Sequence, residues 1–154
     1  MALSNGQKAP DFKLPSTSGK EFQLYKDKLL KPIIIYFYPK DFTPGCTTEA
    51  CEFRDTFDLF RDMEIDVIGI SRDDIKTHLE FKKSNKLPFE LLSDPDGKVA
   101  KAYDAVLPFV SFTKRITYLL DKKHYIVASY QNLFSAKKHI DEMIKQVKSS
   151  GVLK

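Results

Sequence analysis

Cys46 and Cys51 are the only thiols in the 154-residue chain, and the segment leading to the first, Thr43-Pro44-Gly45-Cys46, has the residue types of a helix start. Thr is a good N-cap, and Pro is favoured at the first helical position. With Thr43 as the cap, Cys46 falls at the third helical position, in the turn whose N–H groups lack intrahelical partners. A sulfur there sits at the positive end of the helix dipole, a setting that lowers a thiol pKa from about 8.5 into the range ~3.5–7.5. The thiolate is the nucleophile, so this segment suits attack by sulfur on a small substrate. Thr43 can accept from a helix N–H while donating to the sulfur or to a substrate oxygen. Gly45 lets a small ligand approach the backbone, and Pro39 offers an apolar ring over the sulfur with no competing N–H. The close pair of cysteines points to chemistry or to a metal, whereas Cys51 taken alone reads first as a small buried hydrophobe.

The elements that position this segment are legible on either side of it. Lys31 to Tyr38 is a continuous β-branched and aromatic run, the pattern of a strand buried on both faces near a sheet centre. The helix that follows runs to about Met63, with Cys51, Phe57, Leu59 and Phe60 among its apolar positions. Ile65 to Ile70 is a second buried strand, and Asp73 to Ser84 a second helix turning Ile75, Leu79 and Phe81 to the core. Strand, helix, strand, helix implies parallel pairing. Before this unit, Asp11 to Leu14 and Glu21 to Leu24 alternate polar and apolar around a Pro15-Ser16-Thr17-Ser18-Gly19 turn, a short hairpin. After it, Leu91 to Gly97 leads into a short helix at Val99 to Tyr103. Arg115 to Leu120 and Tyr125 to Tyr130 form an antiparallel pair, and a last helix spans about Ser135 to Lys148. Together these predict one α/β domain over residues 1–154, a thioredoxin-like central mixed sheet flanked by helices with an N-terminal β-hairpin.

Composition narrows the function classes. The longest purely apolar run, Ile33 to Phe37, is far below the ~20 residues of a membrane helix, and the first ten residues lack the basic and apolar regions of a secretory signal. The expected location is the cytoplasm, without membrane attachment. The net charge of +4 is spread over scattered Lys residues among 21 acidic ones, with no basic stripe for nucleic acid. Of 25 basic residues only Arg54, Arg61, Arg72 and Arg115 are arginines, so each invites the question of where a planar fork of donors is needed.

The pattern Pro39, Thr43, Cys46, followed by Glu49 and Cys51, resembles the peroxiredoxins, and the cysteine spacing is similar to their Q type, also called bacterioferritin comigratory proteins. The resemblance extends through Gly69-Ile70-Ser71, Leu87-Pro88-Phe89, Leu92-Ser93-Asp94 and Arg115 to Asp121. It implies a thiol peroxidase that reduces hydrogen peroxide and organic hydroperoxides, with Cys46 as the peroxidatic and Cys51 as the resolving cysteine, joined in an intrachain disulfide. Thr43 and Arg115 then bind peroxide and stabilise the thiolate, Pro39 shields the site, and Glu49 orients an arginine, Arg115 being the candidate. The resemblance further implies recycling by a thioredoxin-like dithiol protein, no metal or organic cofactor, and a monomer, with a dimer as the alternative. Tyr103-Asp104-Ala105, His124 and Tyr130 depart from common family residues but lie away from these positions.

Cysteines five residues apart in an intact helix have Cα atoms about 8.6 Å apart, whereas a disulfide needs about 4.4–6.8 Å, so the pairing predicts that the helix start unwinds. Arg54, Arg61 and Arg72 read as surface residues. His78, His124 and His139 share no ligand spacing with the cysteines and read as surface or half-buried. Phe42, Phe53, Phe57 and Phe60 read as core, with Phe42 a candidate wall of the peroxide pocket. A disulfide oxidoreductase would share the fold but would show Cys-x-x-Cys, and a redox sensor would carry the disulfide without turnover.

Overall fold

The structure is a computed structural model that describes residues 3–107, 112–131 and 141–146. Strands β1 (Lys13–Pro15) and β2 (Glu21–Gln23) form the expected antiparallel hairpin and lead into one turn of helix, α1 (Leu24–Asp27). The chain continues through β3 (Ile33–Phe37), α2 (Pro44–Asp62), β4 (Asp66–Ser71), α3 (Ile75–Asn85), β5 (Glu90–Ser93), α4 (Lys98–Ala102), β6 (Ile116–Leu120) and β7 (Ile126–Gln131). The sheet order is β5-β4-β3-β6-β7, with β3 at the centre as its unbroken apolar run demands. β4 lies parallel to β3 and β5 parallel to β4, whereas β6 and β7 pair antiparallel. Glu90–Ser93 is a strand where the sequence pattern predicts only a lead-in to α4. Four residues are too few to declare a period.

All of β3 is buried, and its side chains alternate between the two faces of the sheet. Ile33, Ile35 and Phe37 join the hairpin, Val99, Tyr103, Ile116 and Tyr118 in one core. Ile34 and Tyr36, with Tyr38 beyond the strand end, join Cys46, Ala50, Phe53, Phe60, Val67 and Phe81 in the other. The second core therefore carries both the underside of α2 and the thiol. Gly69 exists for this packing: a Cβ there would stand 2.7 Å from the Tyr36 ring.

Several side chains fall elsewhere than the sequence placed them. Leu79 is exposed and Ile75 half-buried, while His78 takes the inward position on α3 and is fully buried. His124 is buried as well, its Nε2 within 2.8 Å of the Lys28 carbonyl, and Leu59 on α2 is partly exposed. Arg54 and Arg72 are half-buried, held by the carbonyls of Asn85 and Pro95, and Arg61 is exposed. Of the last expected helix, residues 141–146 are helical; His139 and the rest lie outside the described residues. No helix among the described residues is long and apolar enough to cross a membrane.

Candidate active site

Thr43 caps α2 with extended dihedrals (φ −88, ψ 150), and Pro44 occupies the first turn. The Thr43 carbonyl takes the first helical bond, from Thr47 N–H at 2.9 Å, so Cys46 stands at the third helical position with its own N–H among the unpartnered ones. The Thr43 side chain departs from expectation: it makes no capping bond and its hydroxyl donates to the Lys40 carbonyl at 2.8 Å. Its proton is spent on the loop, which leaves the oxygen lone pairs for a donor from outside.

Cys46 is 2% exposed. Arg115, buried just before β6, directs Nη2 at the sulfur at 3.2 Å and Nη1 at Glu49 Oε1. One guanidinium thus bridges the thiol and a carboxylate one turn further along α2, which only a planar fork can do. Gly45 makes room for it, since a Cβ there would lie 3.0 Å from Arg115 Nη2. The close approach that Gly45 permits here is that of the guanidinium.

Glu49 is fully buried, and its Oε2 has no hydrogen-bond partner among the described residues. Burial pushes its carboxyl up to about 7, with the Arg115 charge only partly offsetting it. Burial pulls on Arg115 in the direction of neutrality, but Glu49 and Cys46 outweigh it and hold the guanidinium charged. The Tyr36 hydroxyl in the same core is also buried with no hydrogen-bond partner among the described residues, its ring stacked 4.6 Å from Phe53.

Both cysteines are free thiols. Cys51 is half-buried on the same unbroken helix, and its Sγ donates to Asn85 Oδ1 on α3 at 3.6 Å. Pro39 is half-buried in the loop between β3 and α2. Phe53 and Phe60 are buried and Phe57 half-buried, but Phe42 is 51% exposed and meets Phe81 edge-on at 5.1 Å. Sequence reasoning did not find Tyr36, Tyr38, Asp41, His78 or Asn85, all of which pack around this segment. Apart from an aspartate in the loop before Thr43, they carry no local signal.

A free, buried thiol at a helix start, met by a guanidinium on a mixed α/β sheet, defines a thiol-dependent redox protein. Residues 5–129 match the AhpC/TSA family. Chloroplastic peroxiredoxin Q of Arabidopsis thaliana is 45% identical over 151 residues, covering 96% of this chain and 68% of that protein; its counterpart in Populus jackii is 43% identical over 148 residues, covering 96% and 69%. The crystal structure of the peroxidoxin BcpB from Mycobacterium tuberculosis superposes with a TM-score of 0.86 at 29% identity, covering 96% of this chain and 97% of that one. The Xanthomonas campestris bacterioferritin comigratory protein, described for its alkyl peroxide reduction activity, does so with a TM-score of 0.86 at 28% identity, covering 95% and 98%. The chain belongs to the AhpC/TSA family and is a peroxiredoxin, a thiol peroxidase with the thioredoxin-like fold its sequence pattern predicts.

Proposed function

We propose that Cys46 is the peroxidatic nucleophile and that the fork of Arg115, held by Glu49 and aimed at the sulfur, is the observation that carries this assignment. The substrates are hydrogen peroxide and organic hydroperoxides, and alkyl peroxide reduction is the activity named for the Xanthomonas campestris relative. Thr43 Oγ1, its own proton committed to Lys40, accepts from the peroxide O–H and turns that hydrogen-bearing oxygen to the sulfur. The Cys46 thiolate attacks that oxygen and the O–O bond breaks. The departing oxygen leaves as water or an alcohol after taking up a proton, and Cys46 is left as a sulfenic acid. Arg115 and the free N–H groups of the first turn stabilise the charge moving onto the departing oxygen, and Pro39 limits access of other reactants.

Cys51 then attacks the sulfenic sulfur, forming the intrachain disulfide and releasing water before further oxidation can occur. A thioredoxin-like dithiol protein reduces the disulfide by thiol exchange and is itself oxidised to a disulfide. One domain over residues 1–154 carries the cycle as a monomer, without metal or organic cofactor, in a thiol-reducing compartment such as the cytoplasm. The activity is antioxidant defence.

The test is peroxide consumption by the full chain with thioredoxin and its reductase. Cys46→Ser is expected to abolish consumption. Cys51→Ser is expected to react once and then accumulate sulfinic acid. Equal loss in both, with no sulfenic acid trapped in either, contradicts the assignment.

A further inference from the structure

The loop between β3 and α2 turns at Phe42, whose φ of 64 places a bulky side chain in the left-handed region. Such a conformation persists only where its surroundings over-determine it. The preceding residue, Asp41, supplies the hold. It is 2% exposed, and three of its groups are engaged by three different parts of the chain. Its N–H donates to Asp73 Oδ2 at 2.8 Å, its Oδ1 accepts from the Tyr38 hydroxyl at 2.6 Å, and its Oδ2 lies 2.5 Å from His78 Nδ1. His78 is fully buried on α3, and its Nε2 lies 2.9 Å from the Leu92 carbonyl on β5.

The protons can be assigned from the partners. A carbonyl only accepts, so Nε2 carries a hydrogen, and the short Nδ1 to carboxylate contact needs another between them. Burial holds the Tyr38 phenol well above its ordinary range, followed by Tyr36 and Asp41, so it remains a donor. Asp73 is fixed in turn: its Oδ2 accepts from Ser71 Oγ and its carbonyl from Ser93 Oγ, both at 2.6 Å. Asp41, Asp73 and His78 offer atoms close enough to hold a cation. A cation would have to expel the proton between Asp41 and His78 and break the Tyr38 bond, so the cluster is a closed hydrogen-bond network and not a metal site.

One face of α3 serves the whole catalytic segment. His78 holds Asp41, Phe81 meets Phe42, and Asn85 receives Cys51, a spacing of three and then four residues that stays on one side of a helix. We propose that the Asp41–His78 pair is a positioning element of the peroxidase site, pinning the Asp41-Phe42 turn to α3 and β5 and thereby setting where the Thr43 hydroxyl and the Cys46 sulfur stand. Neither residue touches the sulfur; both act through the loop. The proposal rests on Cys46 being the peroxidatic nucleophile.

Two substitutions separate the ring's two bonds. In His78→Gln the amide nitrogen can take the place of Nε2 and serve Leu92, leaving Asp41 without its donor. In His78→Asn the amide nitrogen can take the place of Nδ1 and keep Asp41. Both are compared with the wild type, reduced and shown to be folded by circular dichroism, for the rate of Cys46 sulfenic acid formation with hydrogen peroxide. A loop misplacement is worth about tenfold or more in rate, so His78→Gln should fall by about that factor while His78→Asn stays within about threefold of the wild type. Equal rates in the two variants, whether near the wild type or equally impaired, overturn the proposal. Amide exchange at Asp41 and Thr47 gives a readout free of catalysis: faster exchange in His78→Gln than in His78→Asn supports the pin, and no difference refutes it. If the wild type itself forms no sulfenic acid, the nucleophile assignment has failed, and the exchange data alone decide the positioning role.

Discussion

Disulfide closure is expected to be controlled by the stability of the first turns of α2. In the reduced protein Cys46 and Cys51 lie on one continuous helix, with a Cα separation of about 8.6 Å by helix geometry, roughly 2 Å beyond the longest disulfide span. Unwinding the turn that carries Cys46 releases about four backbone hydrogen bonds at ~1 kcal/mol each. Exposing Glu49 returns about 3 kcal/mol, because its carboxyl, raised to about 7 by burial, goes back to water. The opening is therefore within thermal reach and sensitive to small changes in helix stability. Thr48 is the place to apply one: it is exposed, and among the described residues its hydroxyl donates only to the Pro44 carbonyl, at 2.9 Å. Thr48→Ala and Thr48→Gly both delete that bond, so their difference isolates helix propensity, about 1 kcal/mol in favour of Ala. This corresponds to about a fivefold difference in the unwound population. Rapid mixing with one equivalent of hydroperoxide, acid quench and mass spectrometry would follow sulfenic acid and disulfide separately. The Gly variant should close its disulfide about fivefold faster than the Ala variant, while the two form sulfenic acid at rates within about twofold. Indistinguishable closure rates would refute the unwinding step.

Three further outcomes are expected. Glu49 binds its proton more tightly in the fold than in the unfolded chain, so its contribution to stability is greatest at low pH and declines as pH rises from about 4.5 to about 7, a loss of ~3 kcal/mol; urea unfolding of reduced Glu49→Gln across that range should lack this decline, and an identical pH dependence in both proteins would be contrary to it. Gly69→Ala places a Cβ 2.7 Å from a Tyr36 ring already stacked on Phe53, and should destabilise the reduced protein by about 1–3 kcal/mol in denaturant unfolding. Arg115→Lys keeps the charge but cannot bridge Glu49 and the sulfur together, and should slow sulfenic acid formation by about a hundredfold; wild-type rates would show that charge alone suffices.

What the sequence made legible follows from where the signals are local. The β3 run, the Thr43-Pro44 helix start and the hairpin before them are written in adjacent residues, and each lies where its pattern placed it. Strand β5 escaped because Leu91 and Leu92 are half of a four-residue element flanked by turn residues. On α3 the apolar count favoured Leu79 over His78, yet the inward position faces Asp41 and the Leu92 carbonyl, partners that only a polar ring can satisfy. Contacts across large sequence separations were beyond reach for the same reason. The rarity of arginine drew attention to Arg115, but its place between Glu49 and Cys46 comes from the pairing of β3 with β6. Thr43 shows the opposite limit: its cap position was clear from neighbouring residues, whereas the direction of its hydroxyl depended on the path of the loop at Lys40.

The most direct measurement is site-resolved mass spectrometry of the reduced protein during a single turnover with hydrogen peroxide. Oxygen should appear first on Cys46 alone, trapped as the sulfenic acid, and be replaced by an intrachain Cys46–Cys51 bridge with loss of water. Oxidation arriving first at Cys51, or bridges forming only between chains, would contradict the account.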